Sequence, residues 1–177
     1  MAGLPGTGKS TLARALAPWL SGVILDKDHL RAQVFPPSYV DYSWEQDDFC
    51  VELLCRTAGW LLDRESTTVV LLDGCTFTRP EQVDLLHRLR VEQDDFSLVE
   101  CSCPDSVALD RLQRDQSDGT HVARNRSADL YRSLQDEAAP VPEPKLVLDT
   151  ARPVEQCVQQ CLEHFSLPDS HLRRTPC

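Results

Sequence analysis

The stretch Gly3-Leu4-Pro5-Gly6-Thr7-Gly8-Lys9-Ser10 spells G-x-x-x-x-G-K-[ST] and uses three of the chain's seven glycines. Glycine tolerates positive φ, so such a loop can turn successive backbone N–H groups inward. The result is a concave nest for polyphosphate oxygens at a helix N-terminus, where the helix dipole adds its own attraction for anions. Lys9 is placed to neutralise the β and γ phosphates, and the Ser10 hydroxyl is the ligand type that Mg²⁺ takes. Gly3, Leu4, Pro5, Gly6, Thr7, Gly8, Lys9, Ser10 and Thr11 are therefore read as the cofactor-binding set of a mononucleotide site. Carboxylates close two apolar runs further on: Asp26 and Asp28 follow Val23-Ile24-Leu25 with Arg31 close behind, and Asp73 follows Val69-Val70-Leu71-Leu72.

Those groups need elements to hold them. Leu12, Ala15, Leu16 and Trp19 form a stripe that makes Thr11 to Leu20 a helix behind the loop. Four short apolar runs, Val23 to Asp26, Thr68 to Asp73, Ser97 to Cys101 and Lys145 to Asp149, read as buried strands. Ser43-Trp44-Glu45-Gln46 is a capping box ahead of a helix that buries Cys50, Leu53, Leu54, Thr57, Ala58 and Leu61. Thr78 and Glu81 with Pro80 open another helix, and a third begins near Pro104. Alternating strands and helices of this kind make an α/β fold, a parallel sheet covered on both faces with ligand beyond the strand C-termini. A buried strand of about five residues should precede the loop, yet only Met1 and Ala2 stand there. The first strand is therefore expected to be truncated at the N-terminus, with these two residues as its tail. An upstream reading frame should then encode a Val/Ile/Leu run.

With 177 residues the chain is the size of one domain, expected over 1–167 with a loose tail over 168–177. Pro140, Pro142 and Pro144 make a stiff connection to the last strand. Apolar stretches are too short to cross a bilayer and no secretory leader is legible, so the cytoplasm is the default address. The eight cysteines sit in apolar patterns and are read as reduced thiols; neither Cys101/Cys103 nor Cys157/Cys161 has partners at zinc-site spacing. A net charge of −10 opposes extended nucleic-acid binding.

Gly-Leu-Pro-Gly-x-Gly-Lys-Ser, a strand closing on Asp28-His29-Leu30-Arg31, Val-Val-Leu-Leu-Asp-Gly-Cys-Thr-Phe, and Arg111 and Arg114 after a later strand together resemble the small P-loop kinases. That group includes the polynucleotide kinase domain, gluconate kinase, chloramphenicol phosphotransferase and the zeta toxins. The resemblance spans nearly the whole chain and implies a P-loop NTPase three-layer sandwich, with ATP and Mg²⁺ as cofactors and a hydroxyl as phosphoryl acceptor. It implies Asp28 as the base that takes the acceptor's proton and Arg31 as the holder of an acceptor anion. Asp73 is the Walker-B-like carboxylate, sharing Mg²⁺ with Ser10. Lys9, Asp28, Arg31, Arg111 and Arg114 then form the catalytic set, the last two within a lid over about 111–130 that also contains His121, Arg124 and Arg126.

A small-molecule acceptor is the leading expectation. The alternatives are a polynucleotide 5′-hydroxyl kinase, a non-kinase ATPase or nucleotide switch, and an inactive relative. The acidic run Asp41, Glu45, Asp47 and Asp48 reads as a solvated helix start. No role falls to Asp26 as catalyst or to His29, His87, His121 and His164, and the acceptor's identity and the oligomeric state are not legible.

Overall fold

Short apolar runs without polar alternation pair stably in a sheet that is covered on both faces. The computed structural model describes residues 1–65, 68–88, 96–118 and 127–165, and four such runs are its strands: β1 (Gly22–Asp26), β2 (Val69–Asp73), β3 (Leu98–Ser102) and β4 (Lys145–Asp149). β1 pairs with β2 and β3 with β4, both parallel, so that Asp26 lies beside Asp73 and Ser102 beside Asp149. Met1 and Ala2 lie between the two pairs. Ala2 bridges β3 in parallel, its N–H donating to Val99 O at 2.7 Å while Cys101 N–H donates to Ala2 O at 2.9 Å. On the other side the Met1 ammonium donates to Leu72 O at 2.9 Å and Gly3 N–H to Thr76 O at 3.0 Å. The residues before the loop thus occupy the centre of the layer, and both are buried.

Seven helices flank this layer among the described residues: α1 (Lys9–Leu16), α2 (Lys27–Val34), α3 (Trp44–Leu62), α4 (Pro80–Arg88), α5 (Asp105–Asp118), α6 (Ala128–Glu137) and α7 (Val154–Phe165). On one face α1 and α7 pack Leu12, Leu16, Val158 and Cys161 against Leu71, Val99, Cys101 and Leu148. On the other, α3 packs Val51, Leu54 and Cys55 against Ala2, Cys75, Phe77 and Leu98. A small third cluster of Ala108, Leu112 and Tyr131 joins α5 to α6. This is the three-layer arrangement the strand and helix pattern demands.

Two helices turn differently from their sequence periodicity. In α3 the buried stripe is Gln46, Asp47, Cys50, Val51, Leu54, Cys55 and Ala58, while Thr57 is exposed and Leu53 and Leu61 are only partly covered. Helix α1 ends at Leu16, short of the expected Leu20; within it Ala13 is buried where Ala15 is partly exposed, and in the turn that follows Leu20 is buried where Trp19 is partly exposed. The box at Ser43 is half formed: Ser43 Oγ accepts from Gln46 N–H at 3.2 Å. The Gln46 amide reaches Tyr39 O instead, and Ser43 N–H turns to Asp41. Helix α6 begins inside the span read as lid, and its polar face hid it from apolar counting.

Seven cysteines among the described residues are free thiols, six of them buried. Burial pushes the Cys55 and Cys161 thiols up to about 12 and those of Cys75 and Cys101 to about 11, so they behave as apolar core residues. No described helix is long and apolar enough to cross a membrane. Gln116 to Asp118 end α5, and 119–126, with His121, Arg124 and Arg126, lie outside the described residues. So do 166–177 and the side chain of His87.

Candidate active site

The loop enters at the strand C-termini with Gly3, Gly6 and Gly8 all at positive φ. Gly8 is the N-cap of α1, in left-handed geometry with no side chain capping the helix, so the amides of the first turn face outward for an anion. At Gly3, φ is +124° and an added Cβ would lie 2.4 Å from Cys101 O, so no other residue fits without moving the backbone. Gly3→Ala is expected to cost about 1–3 kcal/mol in urea denaturation, from strain and overpacking together; an unchanged midpoint would mean the loop sits otherwise.

Side chains latch the loop from both sides. Thr7 Oγ1 donates to Leu4 O at 2.7 Å, and Lys9, buried, donates from Nζ to Gly3 O at 2.7 Å and Leu4 O at 2.8 Å. Thr150, directly after β4, places its Oγ1 2.7 Å from Thr7 O and 3.1 Å from Ser102 O. Arg111 on α5 donates from Nη2 to Thr150 O at 2.7 Å and from Nη1 to Gly6 O at 3.3 Å. Thr150 belongs to no sequence motif, although its place at a strand C-terminus is where such sheets bind ligands.

Arg114 is not brought to this site. It is exposed on α5 and pairs with Asp110 one turn back at 2.8 Å, a surface contact of the kind worth little. Asp73 closes β2 at 1% exposure, and its Oδ1 is buried with no hydrogen-bond partner. Such an orphaned carboxylate oxygen at a strand end fits a bound cation or its water.

A cleft of about 670 Å³ runs from the loop to the opening of α2 and α3. Gly8, Lys9, Ser10 and Thr11 line it together with Asp28, Arg31, Tyr42 and Asp47, and Leu130, Ser133 and Glu137 of α6 complete its wall. The N-cap of α2 is Asp26, whose Oδ1 accepts from the N–H groups of Asp28 at 2.8 Å and His29 at 3.0 Å. Burial disfavours its ionised form, but the hydrogen bonds and charge of His29 outweigh that and hold the Asp26 carboxyl below its ordinary range. With capping assigned to Asp26, the Asp28 carboxylate is left to face the cleft, where it accepts from Arg31 Nη1 at 3.1 Å.

Beside Asp28, in the wall of the same cleft, lies a buried ionic cluster that no contiguous motif announces. Asp47 Oδ1 is 2.5 Å from both Lys27 Nζ and Arg31 Nη2, and its Oδ2 accepts from Gln82 Nε2 at 2.9 Å. The acidic run is thus not a wholly solvated helix start: Asp47 is its buried member, while Asp48 pairs with Arg79, which lies over the Trp44 ring. Burial works against the charge of Asp47, yet the adjacent ammonium and guanidinium more than offset it and its carboxyl is held low. Lys27, in the same balance, is held above its ordinary value. Extending the Cys50, Val51, Leu54 stripe one turn back would have put Asp47 on the inner face, where a carboxylate needs a cationic partner.

The family model AAA_33, described as an AAA domain, matches residues 1–137 and so takes in the loop and the Asp28 cleft. The chain belongs to this family. No curated protein matches it by sequence. Among solved structures, a sugar kinase from Janibacter sp. HTCC2649 superposes with a TM-score of 0.71 at 16% identity, covering 98% of this chain and 96% of that one. A gluconokinase from Sinorhizobium meliloti 1021 gives 0.68 at 17%, covering 93% and 89%. The APS kinase of Mycobacterium tuberculosis, in complex with AMPPNP and APS, gives 0.66 at 20%, covering 94% and 95%. This member of the AAA_33 family has the fold of the small P-loop kinases, an α/β P-loop NTPase fold.

Proposed function

We propose that the protein is an ATP- and Mg²⁺-dependent phosphotransferase that moves the γ-phosphoryl group of ATP to a hydroxyl of a small-molecule acceptor. The observation that carries this reading is the shared cleft: the anion-binding loop with Lys9 and the Arg31-held Asp28 carboxylate line one continuous space. The solved kinases that share the fold support it.

An alcohol is a poor nucleophile at neutral pH, and a carboxylate within hydrogen-bond reach takes its proton as the new bond to phosphorus forms. Asp28 does so here. The loop amides and Lys9 meet the charge on the phosphates, which requires Lys9 Nζ to leave the Gly3 and Leu4 carbonyls it now holds. Arg111 fixes the loop through Gly6 and is the cation assigned to the charge that spreads over the transferring group. A second cavity of about 200 Å³, between Thr11, Arg111, Thr150 and Arg152, offers room for the nucleoside end of ATP. Ser10 and the orphaned Asp73 are the residues to hold Mg²⁺, which when bound neutralises and orients the phosphate oxygens. The net charge of −10 favours a small acceptor over nucleic acid.

The test is incubation with γ-labelled ATP, Mg²⁺, a pool of cell metabolites and 5′-hydroxyl oligonucleotides. Label on a small organic acceptor is the expected result. Label on the oligonucleotides would replace the acceptor class, and label appearing only as free phosphate would overturn the kinase reading.

A further inference from the structure

We propose that Asp47 is a positioning residue for the transfer step, holding Arg31 as a strut against Asp28. This rests on Asp28 being the base, as proposed above. The geometry starts with the guanidinium, a planar fork with fixed donor directions. Arg31 Nη1 meets Asp28 Oδ1 at 3.1 Å and Nη2 meets Asp47 Oδ1 at 2.5 Å, so its two amino groups are shared between two carboxylates of the cleft wall, of which Asp47 is the more deeply buried. The side chain is 4% exposed, with the Tyr42 ring 5.2 Å from its central carbon.

A pair three residues apart on one helix, as Asp28 and Arg31 are, does not by itself hold a long side chain in one rotamer. Asp47 supplies the second point of attachment, and it is fixed in turn by Lys27 from the start of α2 and Gln82 from α4. Three helices thereby converge on the orientation of one guanidinium. Apolar packing fills such a volume at least as stably as a buried ionic cluster, whose desolvation is costly. What ions add is direction, and here the direction ends on the base. Arg31 consequently acts on Asp28, with its amino groups committed to carboxylates; this differs from the role of acceptor-anion holder that the D-x-x-R resemblance implies.

The test uses arginine side-chain ¹⁵N NMR on the full chain. Arg31 is expected to show separate, slowly exchanging Nη resonances, because paired carboxylates hinder rotation of its amino groups. Asp47→Asn is expected to merge them, while Asp48→Asn leaves them separate, since Asp48 pairs with Arg79 and meets the cluster only through a 3.4 Å contact with Gln82. With the acceptor found by γ-label transfer, Asp47→Asn lowers kcat by about 10- to 100-fold, the scale of a misplaced catalytic group, and leaves KM for Mg-ATP within about twofold. Arg31 resonances that stay separate in Asp47→Asn overturn the proposal, as does merging with an unchanged kcat. If Asp47→Asn does not fold, Asp47→Glu keeps the buried charge and displaces it by one methylene. Merged resonances with reduced kcat then support the strut, and separate resonances with full kcat overturn it. The NMR result needs no turnover, so it stands apart from failure of the base, which would show as wild-type transfer by Asp28→Asn.

Discussion

Asp28→Asn is expected to lower phosphoryl transfer by about 10²- to 10⁴-fold, the range a general base contributes, while the affinity for Mg-ATP stays within about twofold. The asparagine is isosteric and Asp47 still holds Arg31 Nη2, so the guanidinium retains a charged partner and the cleft its shape. What disappears is the capacity to accept a proton. Because the proposed phosphate contacts come from the loop, Lys9 and Ser10 and not from Asp28, nucleotide binding is separable from this change. Titration calorimetry with Mg-ATP beside a transfer assay reads both quantities. A mutant that transfers at the wild-type rate would remove Asp28 as base, and one that loses ATP affinity as well would mean the cleft collapsed.

Asp47→Ala is expected to have the largest effect on stability, about 3–5 kcal/mol in urea denaturation, because it leaves two buried cations without their shared partner. Lys27 at 5% exposure and Arg31 at 4% are too deeply covered for water to replace the lost carboxylate in place. The same cluster sets a pH dependence whose sign follows from the shifts. The Asp47 carboxyl is lower in the folded protein than in the unfolded chain, so its stabilisation is fully present above the ordinary aspartate value of about 3.9 and is lost as pH falls through its lower folded value. Lys27 is raised, so its contribution is full below about 10.4 and is lost only above that. Stability from the cluster should be flat from about pH 5 to 10 and fall away in acid. In Asp47→Ala the acid-side fall should be shallower than in the wild type, and equal slopes would show that Asp47 does not carry it.

Some of the protein is written in contiguous residues. The loop from Gly3 to Ser10 depends on positive φ at glycines and a helix behind them, properties of neighbouring residues, and the structure realises each of them. The four strands are equally local, since an apolar run bounded by turns has few other ways to bury itself, and each lies within a residue or two of its expected span. Asp28 was legible because it follows a strand end, although its freedom from capping depended on Asp26 two residues earlier taking that task.

The rest depended on distance in sequence and closeness in space. Asp47 looks like a solvated helix start until α3 rotates its inner stripe by one residue and sets it against Lys27, 20 residues away. Thr150 has no motif, and it reaches the loop at Thr7 across 143 residues because β4 ends beside β3. Arg111 and Arg114 are indistinguishable by type and differ by three positions; the turn of α5 sends one to Gly6 and the other to solvent. Local residue order determined the glycine loop, the strands and the presence of a carboxylate at a strand end, because conformational preference is a property of neighbours. Only the tertiary structure decided which charges are buried and which partner each one holds, because desolvation and pairing act between groups that the fold alone brings together.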